Sequence, residues 1–394
     1  MIALTSADAP PASLAAGERP AILSPGPRQA SFGRVVVRLP AGTERVSVYV
    51  NDELERDKAA SGPVVSFRLD LPKGDSRIRV VVSDGNGGTA SDSVDRVLGL
   101  PRAGRPTGTE PRLEWRLQRR LRGLAADFPG ITGFYVMNLR TGLGAGWNAR
   151  ARFPAASTIK LAIAVELMRR LRSIPRRETT LGHKLRQMLV VSSNKAANDL
   201  LEWLGGSQTA GASQVTSMLR RVGIVDTYLY GGYILGTASA GRPIPLNVVS
   251  QPSFSGKYTS AWDLARLHRY LHSATAGRGP FIKRLSGFKS AEARHLLYYL
   301  GHSADHGKLD RFLRDKAVAI PHKAGWITTA RHDAGIVYWS RGAFVAAVMT
   351  WNGNGVSATR ADVLAGRMAK TAFDRYEALS RAAGRIGAER GTHA

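Results

Sequence analysis

Ser157 and Lys160 stand three residues apart in Phe153-Pro154-Ala155-Ala156-Ser157-Thr158-Ile159-Lys160, at the head of an apolar run. On a helix that spacing puts both side chains on one face, about one turn apart, so a hydroxyl has an amine within reach as its base. The same Ser-x-x-Lys spacing recurs at Ser192 to Lys195 and at Ser286 to Lys289, so spacing alone does not single out a nucleophile. The surroundings separate the three. Ile159 to Met168 is apolar on nearly every face, which predicts a buried helix, and buried helices rarely keep a lysine without a reason. Two triplets follow in order, Ser192-Ser193-Asn194 and Lys323-Ala324-Gly325 with Trp326 after it. Lys323 opens the only Lys-x-Gly in the chain and sits where a strand should begin.

Other chemistry is poorly supported. The chain has no cysteine, which excludes disulfides, thiol catalysis and thiolate metal sites. His302 and His306, at i and i+4, have the spacing of a zinc pair, but Asp305 and an exposed setting favour a surface position, and neither a metal nor a cofactor is expected. No Ser-His-Asp grouping is visible by local spacing. Gly142-Leu143-Gly144-Ala145-Gly146 is weak as a phosphate loop because a strand, not a helix, follows it. Glu166 lies nine residues beyond Ser157, on the opposite face of the same helix.

The elements that must position these residues follow from periodicity. Residues 1–30 read as a disordered leader without a full export signal, and 381–394 as a disordered Ala/Gly/Arg tail. Between 31 and 100, short runs alternate apolar and polar residues: 34–39, 45–50, 64–69, 77–82 and 89–97. They predict a small antiparallel sandwich that resembles bacterial immunoglobulin-like modules in pattern. Asp84-Gly85-Asn86-Gly87-Gly88 reads as a tight turn rather than a calcium loop. Residues 101–111, rich in Pro and Gly, form a linker.

From 112 to 380 the pattern becomes mixed. A basic amphipathic helix over 113–124 should turn Trp115, Leu117 and Leu121 to the core. A hairpin over 131–148 precedes the Ser157 helix, and helices follow near 181–189, 194–204 and 213–222. Ser260 with Asp263 marks a capping box for a helix over 261–271, with two more at 280–285 and 291–301. Strands at 323, 335–339 and 343–349 and a last helix at 361–379 complete the domain.

The 56 Lys and Arg against 30 Asp and Glu leave a net charge of +26, spread along the chain. That charge suits a solvated basic surface or attraction to an anionic cell-wall polymer. No zinc-finger spacing or basic-aromatic module points to nucleic acid, and no apolar run is long enough for a transmembrane segment.

Taken in order, Ser157-x-x-Lys160, Ser192-Ser193-Asn194 and Lys323-Ala324-Gly325 resemble the signature of serine β-lactamases and penicillin-binding proteins. Ser192 to Leu201 and Tyr258 to Ala265 extend the likeness to class A β-lactamases, over about residues 110 to 380. The resemblance implies that the N-terminal all-β immunoglobulin-like module is followed by a β-lactamase-like α/β domain, an antiparallel sheet flanked by helices. The short interval from Ser157 to Ser192 implies a reduced all-helical subdomain. It further implies a secreted or cell-envelope serine hydrolase, acylated at Ser157 by β-lactam or D-Ala-D-Ala-like (peptidoglycan-like) acyl donors. Lys160 would take the serine proton, Ser192 with Lys323 beside it would pass a proton to the leaving nitrogen, and Asn194 would hold a substrate amide. The backbone N–H groups of Ser157 and Trp326 would form the oxyanion hole.

Four departures qualify the activity. The family's deacylating glutamate has no counterpart, since no Asp or Glu occurs between Thr227 and Trp262. Asn247 and Gln251 are the amides left to orient a water, and neither is a base. Ala324 replaces a hydroxyl that helps hold the substrate carboxylate, a task left to Thr328 or Arg331, unless Arg331 pairs with Asp333, while Gly325 is expected to line the substrate site beside Trp326. Ser193 stands where an aspartate is usual, and the Ser157 to Ser192 interval is short. The expectation is a hydrolase with weakened or unconventional deacylation. A penicillin-binding-type peptidase, transpeptidase or esterase, or a degenerate cell-wall-binding protein, is the alternative.

Overall fold

The computed structural model describes residues 18–229, 231–233, 248 and 250–391, and the chain divides into two units, 1–100 and 101–394. The first is all-β: β1 (Ala21–Ser24), β2 (Ala30–Ser31), β3 (Arg34–Arg38), β4 (Arg45–Val50), β5 (Glu53–Ala59), β6 (Val64–Arg68), β7 (Gly74–Ser83) and β8 (Thr89–Gly99). They form sheets of order β1-β3-β6 and β2-β8-β7-β4-β5. Alternate residues Val35 and Val37, Val46 and Val48, Val65 and Phe67, and Ile78, Val80 and Val82 meet in one core, as their period of two requires. Of the leader expected over 1–30, the described residues are not disordered, because β1 and β2 pair with β3 and β8, and 1–17 lie outside the described residues. The strand β5 was not foreseen: it is a charged edge strand, exposed along nearly its whole length, and shows no apolar alternation. At the expected tight turn the Asp84 carboxylate accepts from Asn86 and Gly88 N–H at 2.9 and 2.7 Å, and the described residues contain no metal-binding cluster.

The second unit opens with a segment that is no free linker. Thr107 and Thr109 hydroxyls both donate to Leu139 O, at 3.0 and 2.8 Å. Then follow β9 (Arg112–Leu113), α1 (Trp115–Ala126), β10 (Ile131–Asn138), β11 (Leu143–Trp147), β12 (Phe153–Pro154), α2 (Lys160–Arg170), α3 (Thr180–Val190), α4 (Asn194–Gly205) and α5 (Gln208–Arg221). After them come β13 (Tyr258–Thr259), α6 (Ala261–Ala274), α7 (Gly279–Arg284), α8 (Ser290–Gly301), β14 (His322–Ile327), β15 (Ala330–Trp339), β16 (Gly342–Trp351) and α9 (Ala358–Gly391). Helix α9 continues through the expected tail to Gly391, since Ala, Arg and Glu there favour a helix.

The main sheet has the order β14-β15-β16-β10-β11-β9 and is antiparallel except for the β9–β11 pair. Helices α1 and α9 cover one face through Leu117, Leu121, Leu364, Met368 and Tyr376. Helix α6 packs on β10, β15 and β16, and α2 is surrounded by α3, α4, α5 and α8. Covered strands lose their alternation, so β16 is buried along almost its whole length. Trp115 is 69% exposed, contrary to expectation: two residues before Leu117 it points to the other side of α1. Gly142, at φ +76, lets the β10–β11 turn touch Glu110 backbone, a packing role rather than phosphate binding.

Of the histidines buried in or beside this sheet, three lose basicity through burial. Burial pushes His268 and His272 down to about 3 and His332 to about 4. Each is neutral in the folded protein while the unfolded chain takes up protons below about pH 6.5. Stability is therefore present above that pH and lost as pH falls toward 4, by about 1.4 kcal/mol per unit for each histidine. Asp263, raised to about 6 first by burial, opposes this as a single group. Melting curves should thus show the midpoint dropping steadily from pH 6.5 to 4; a flat profile would exclude neutral buried histidines.

Candidate active site

Ser157 does not sit inside a helix; it lies in the turn that leads into α2. Thr158 Oγ1 donates to Ala155 O at 2.6 Å, and Lys160 N donates to Ser157 O at 3.3 Å, an i→i+3 closure that still sets Ser157 and Lys160 one turn apart. Ala156, with φ +46, precedes the serine in the left-handed region, which costs a non-glycine residue about 1–3 kcal/mol and is tolerated where surrounding structure enforces it. That enforcement is visible. His332 on β15 bridges Pro154 O, 2.8 Å from its Nε2, and Thr350 N, which donates to its Nδ1 at 3.2 Å. A neutral ring with the proton on Nε2 satisfies both contacts.

Lys160 is fully buried at the start of α2. Its Nζ lies 2.5 Å from Ser192 O, 2.6 Å from Asn194 Oδ1 and 3.4 Å from Ser192 Oγ. Burial, and then the charge of Lys323, push it down to about 6. At neutral pH the amine carries two protons, which the two carbonyl oxygens take, and one lone pair. Lys323, on the edge strand β14, donates to Ser192 Oγ at 2.9 Å and to Ala324 O at 3.0 Å. Burial brings it down to about 8 while Asp305 and Asp333 work against the shift, so it remains cationic at pH 7.

Ser192 is thus held between the two amines. It too adopts a left-handed conformation, φ +59, and the cap of α4 falls on Ser193, whose hydroxyl accepts from Ala196 N at 3.1 Å. Ser193 is thus the helix cap, which leaves Ser192 and Asn194 to the site. Gly325 closes the group: a Cβ there would stand 2.5 Å from Ser157 N and 2.7 Å from Thr158 N, so β14 runs directly against the turn.

Other expected residues go elsewhere. Arg331 makes a two-point pair with Asp362, 2.6 and 2.8 Å, and not with Asp333. Asp333 is fully buried and binds His322 Nδ1 at 2.9 Å; burial opposes the charged imidazole, but Asp333 lifts it above its ordinary pKa. Thr328 is exposed in the β14–β15 turn, and Trp326 is 47% exposed beside it. Glu166 is buried but bound to Arg169 and Arg170. Gln251 Oε1 accepts from Arg152 N at 3.1 Å, and Asn247 lies outside the described residues. His302 follows the end of α8 and bonds Tyr298 O, whereas His306 pairs with Asp310, so no shared helix face joins them. Ser260 caps α6, but the Asp263 carboxylate bonds Thr227 at 3.0 Å and does not complete a capping box.

Tyr233 was not foreseen. Lys160 and Lys257 both approach its ring, at 4.6 and 5.2 Å from the centroid, and Lys257 donates to Gly232 O at 2.6 Å. No motif or periodicity in the sequence points to it, because loop composition does not say what a loop covers.

A model of the beta-lactamase enzyme family matches residues 116–177 and 171–376. Among solved structures, one described as PBP-A is 22% identical with a TM-score of 0.54, covering 69% of this chain and 99% of its own. A mutant of PBP-A, described as an acyl-enzyme complex with penicillin-G, is 20% identical with a TM-score of 0.53, covering 68% and 99%. A beta-lactamase from Sphaerobacter thermophilus is 18% identical with a TM-score of 0.51, covering 66% and 97%. At such identities the likeness shows the fold. No curated protein matches the chain.

Proposed function

The chain belongs to the beta-lactamase enzyme family, and on that premise we propose that it is a serine hydrolase acylated at Ser157 and slow to release the acyl group. The observation that carries this is Ser192 held between two amines of unlike pKa, beside the turn that bears Ser157. Ser157 Oγ attacks the acyl carbonyl while its proton passes to the lone pair of Lys160. Lys160 returns the proton through Ser192 Oγ to the leaving nitrogen, whose bond to the carbonyl carbon breaks, and the Lys323 ammonium stabilises the serine oxygen during transfer. The backbone N–H groups of Ser157 and Trp326 receive the oxyanion, and Asn194 orients the substrate amide.

Slow release is supported by the absence of a carboxylate between Thr227 and Trp262 and by the pairing of Glu166 with two arginines. The acyl donors we assign are β-lactams and D-Ala-D-Ala-like amides, and the acyl-enzyme described for the PBP-A mutant supports penicillins as probes. We place the protein in the cell envelope or outside the cell, its basic charge suited to anionic wall polymer and its β-sandwich an immunoglobulin-like module. The test is a chromogenic cephalosporin with colour and intact mass followed together, for the protein and for Ser157→Ala. A stoichiometric burst with a lasting adduct, absent in the variant, is expected. Sustained colour would mean efficient deacylation, and no reaction with any acyl donor would falsify the hydrolase reading.

A further inference from the structure

Helix α1 turns Leu117, Leu121 and Ala125 into the core, and a two-point bond fixes it on β11. Gln118 Nε2 donates to Gly146 O and its Oε1 accepts from Gly146 N, both at 2.9 Å. The opposite side of the helix is open and carries one sign of charge. Arg116, Arg119, Arg120 and Arg122 are all exposed, and none of them pairs with a carboxylate among the described residues. Apolar side chains border them. Trp115 is 69% exposed, and Leu113 on the edge strand β9 is 48% exposed. Trp147, at the end of β11, is half-exposed, and the Arg122 guanidinium stands 4.1 Å from its ring centroid. Trp115, Arg119 and Arg122, at i, i+4 and i+7, make one stripe along α1 that ends over Trp147.

We propose that this face of α1 binds a membrane surface rich in anionic phospholipid, with the arginines on the headgroup phosphates and Trp115 and Leu113 entering the interfacial layer. Charge complementarity selects the partner. Four guanidinium groups without a paired carboxylate attract an anionic surface, whereas a two-fold dimer through this face would set like charges against each other. The apolar side chains narrow the choice further. A soluble anionic polymer would satisfy the arginines and leave Leu113 in water. The boundary between headgroups and acyl chains takes an indole, an aliphatic side chain and the long arginine stems together. The inference stands apart from the acyl-transfer reading of Ser157, and the two are geometrically compatible. Strand β9 forms one edge of the main sheet and β14, which runs against the Ser157 turn, forms the other, so adsorption through α1 does not engage the β14 edge.

The experiment sediments the full chain with vesicles of phosphatidylcholine alone and of phosphatidylcholine mixed with phosphatidylglycerol. Binding to the mixed vesicles only is expected, and it should weaken as salt is raised. Trp115→Ala, and separately the pair Arg119→Ala with Arg122→Ala, should each lower the partition coefficient by about tenfold or more. The pair Arg38→Ala with Arg68→Ala removes the same charge from exposed positions of the first unit and should change it by less than about twofold. Alanine suits an exposed helix position, so the α1 variants should keep the wild-type melting temperature. Equal binding to both kinds of vesicle, no binding to the mixed ones, or an equal loss from the Arg38 and Arg68 pair overturns the inference and leaves the hydrolase reading intact. Capture of soluble poly(glycerol phosphate) without binding to mixed vesicles also overturns it and assigns the face to an anionic polymer. A chain that binds the mixed vesicles as expected but forms no cephalosporin adduct loses the hydrolase reading and keeps this one.

Discussion

Lys160→Ala is expected to slow acylation of Ser157 by about 10²–10⁴-fold, the range lost when a positioned proton acceptor is removed. On the proposed mechanism the change deletes the lone pair that receives the serine proton, and it removes the Lys160 contact from Ser192 O and Asn194 Oδ1. The wild-type pH profile identifies the same group. Acylation needs Lys160 unprotonated, so the rate should rise as pH increases through about 6, and it needs Lys323 protonated, so the rate should fall above about 8. Stopped-flow acylation by a chromogenic cephalosporin between pH 5 and 9 measures both limbs, with the melting temperature of the variant as a check on folding. A variant that keeps the wild-type rate, or a wild-type profile that is level from pH 5 to 7, would rule out Lys160 as the base.

Gly325→Ala is the second large effect. The added Cβ meets backbone, Ser157 N at 2.5 Å and Thr158 N at 2.7 Å, and also Ala156 Cβ at 3.1 Å. None of these is the end of a flexible side chain, so β14 must withdraw from the turn. On the proposed mechanism withdrawal separates the Ser157 and Trp326 N–H groups that receive the oxyanion, and loss of an oxyanion donor costs about 10²–10³ in rate. Gly108→Ala, with nothing within 4 Å of the new Cβ, should leave acylation unchanged. Equal rates for the two variants would show that close approach of β14 to Ser157 contributes nothing to the chemistry.

The residues that gather at the site were legible because each belongs to a short pattern whose order along the chain is informative. Ser157, Lys160, Ser192, Asn194 and Lys323 needed no knowledge of distance to be chosen together, and Glu166 was set aside on helical geometry alone. Strands β3, β4, β6, β7 and β8 and the helices α1 and α3 to α8 were legible for the same local reason, since burial on one side imposes a period of two or 3.6, whereas α2, buried on nearly every face, was legible as a continuous apolar run. The edge strand β5 was not, because an element exposed on both faces has no such period. Arg331 was assigned to substrate on proximity in sequence, yet Asp362, distant in the chain, holds it at two points.

From the sequence alone one could determine that a serine and a lysine stand one turn apart before a buried helix, that a second serine, an amide and a second lysine follow in order, and that no Asp or Glu occurs between Thr227 and Trp262. Tertiary structure alone decided that Ser157 lies in a turn held from β15 by His332, that Ser193 takes the cap, and that two buried amines acquire unlike pKa values. The division has a physical cause. Spacing and periodicity are properties of neighbours along the chain, whereas burial, charge coupling and hydrogen bonding across elements depend on which distant residues the fold brings together.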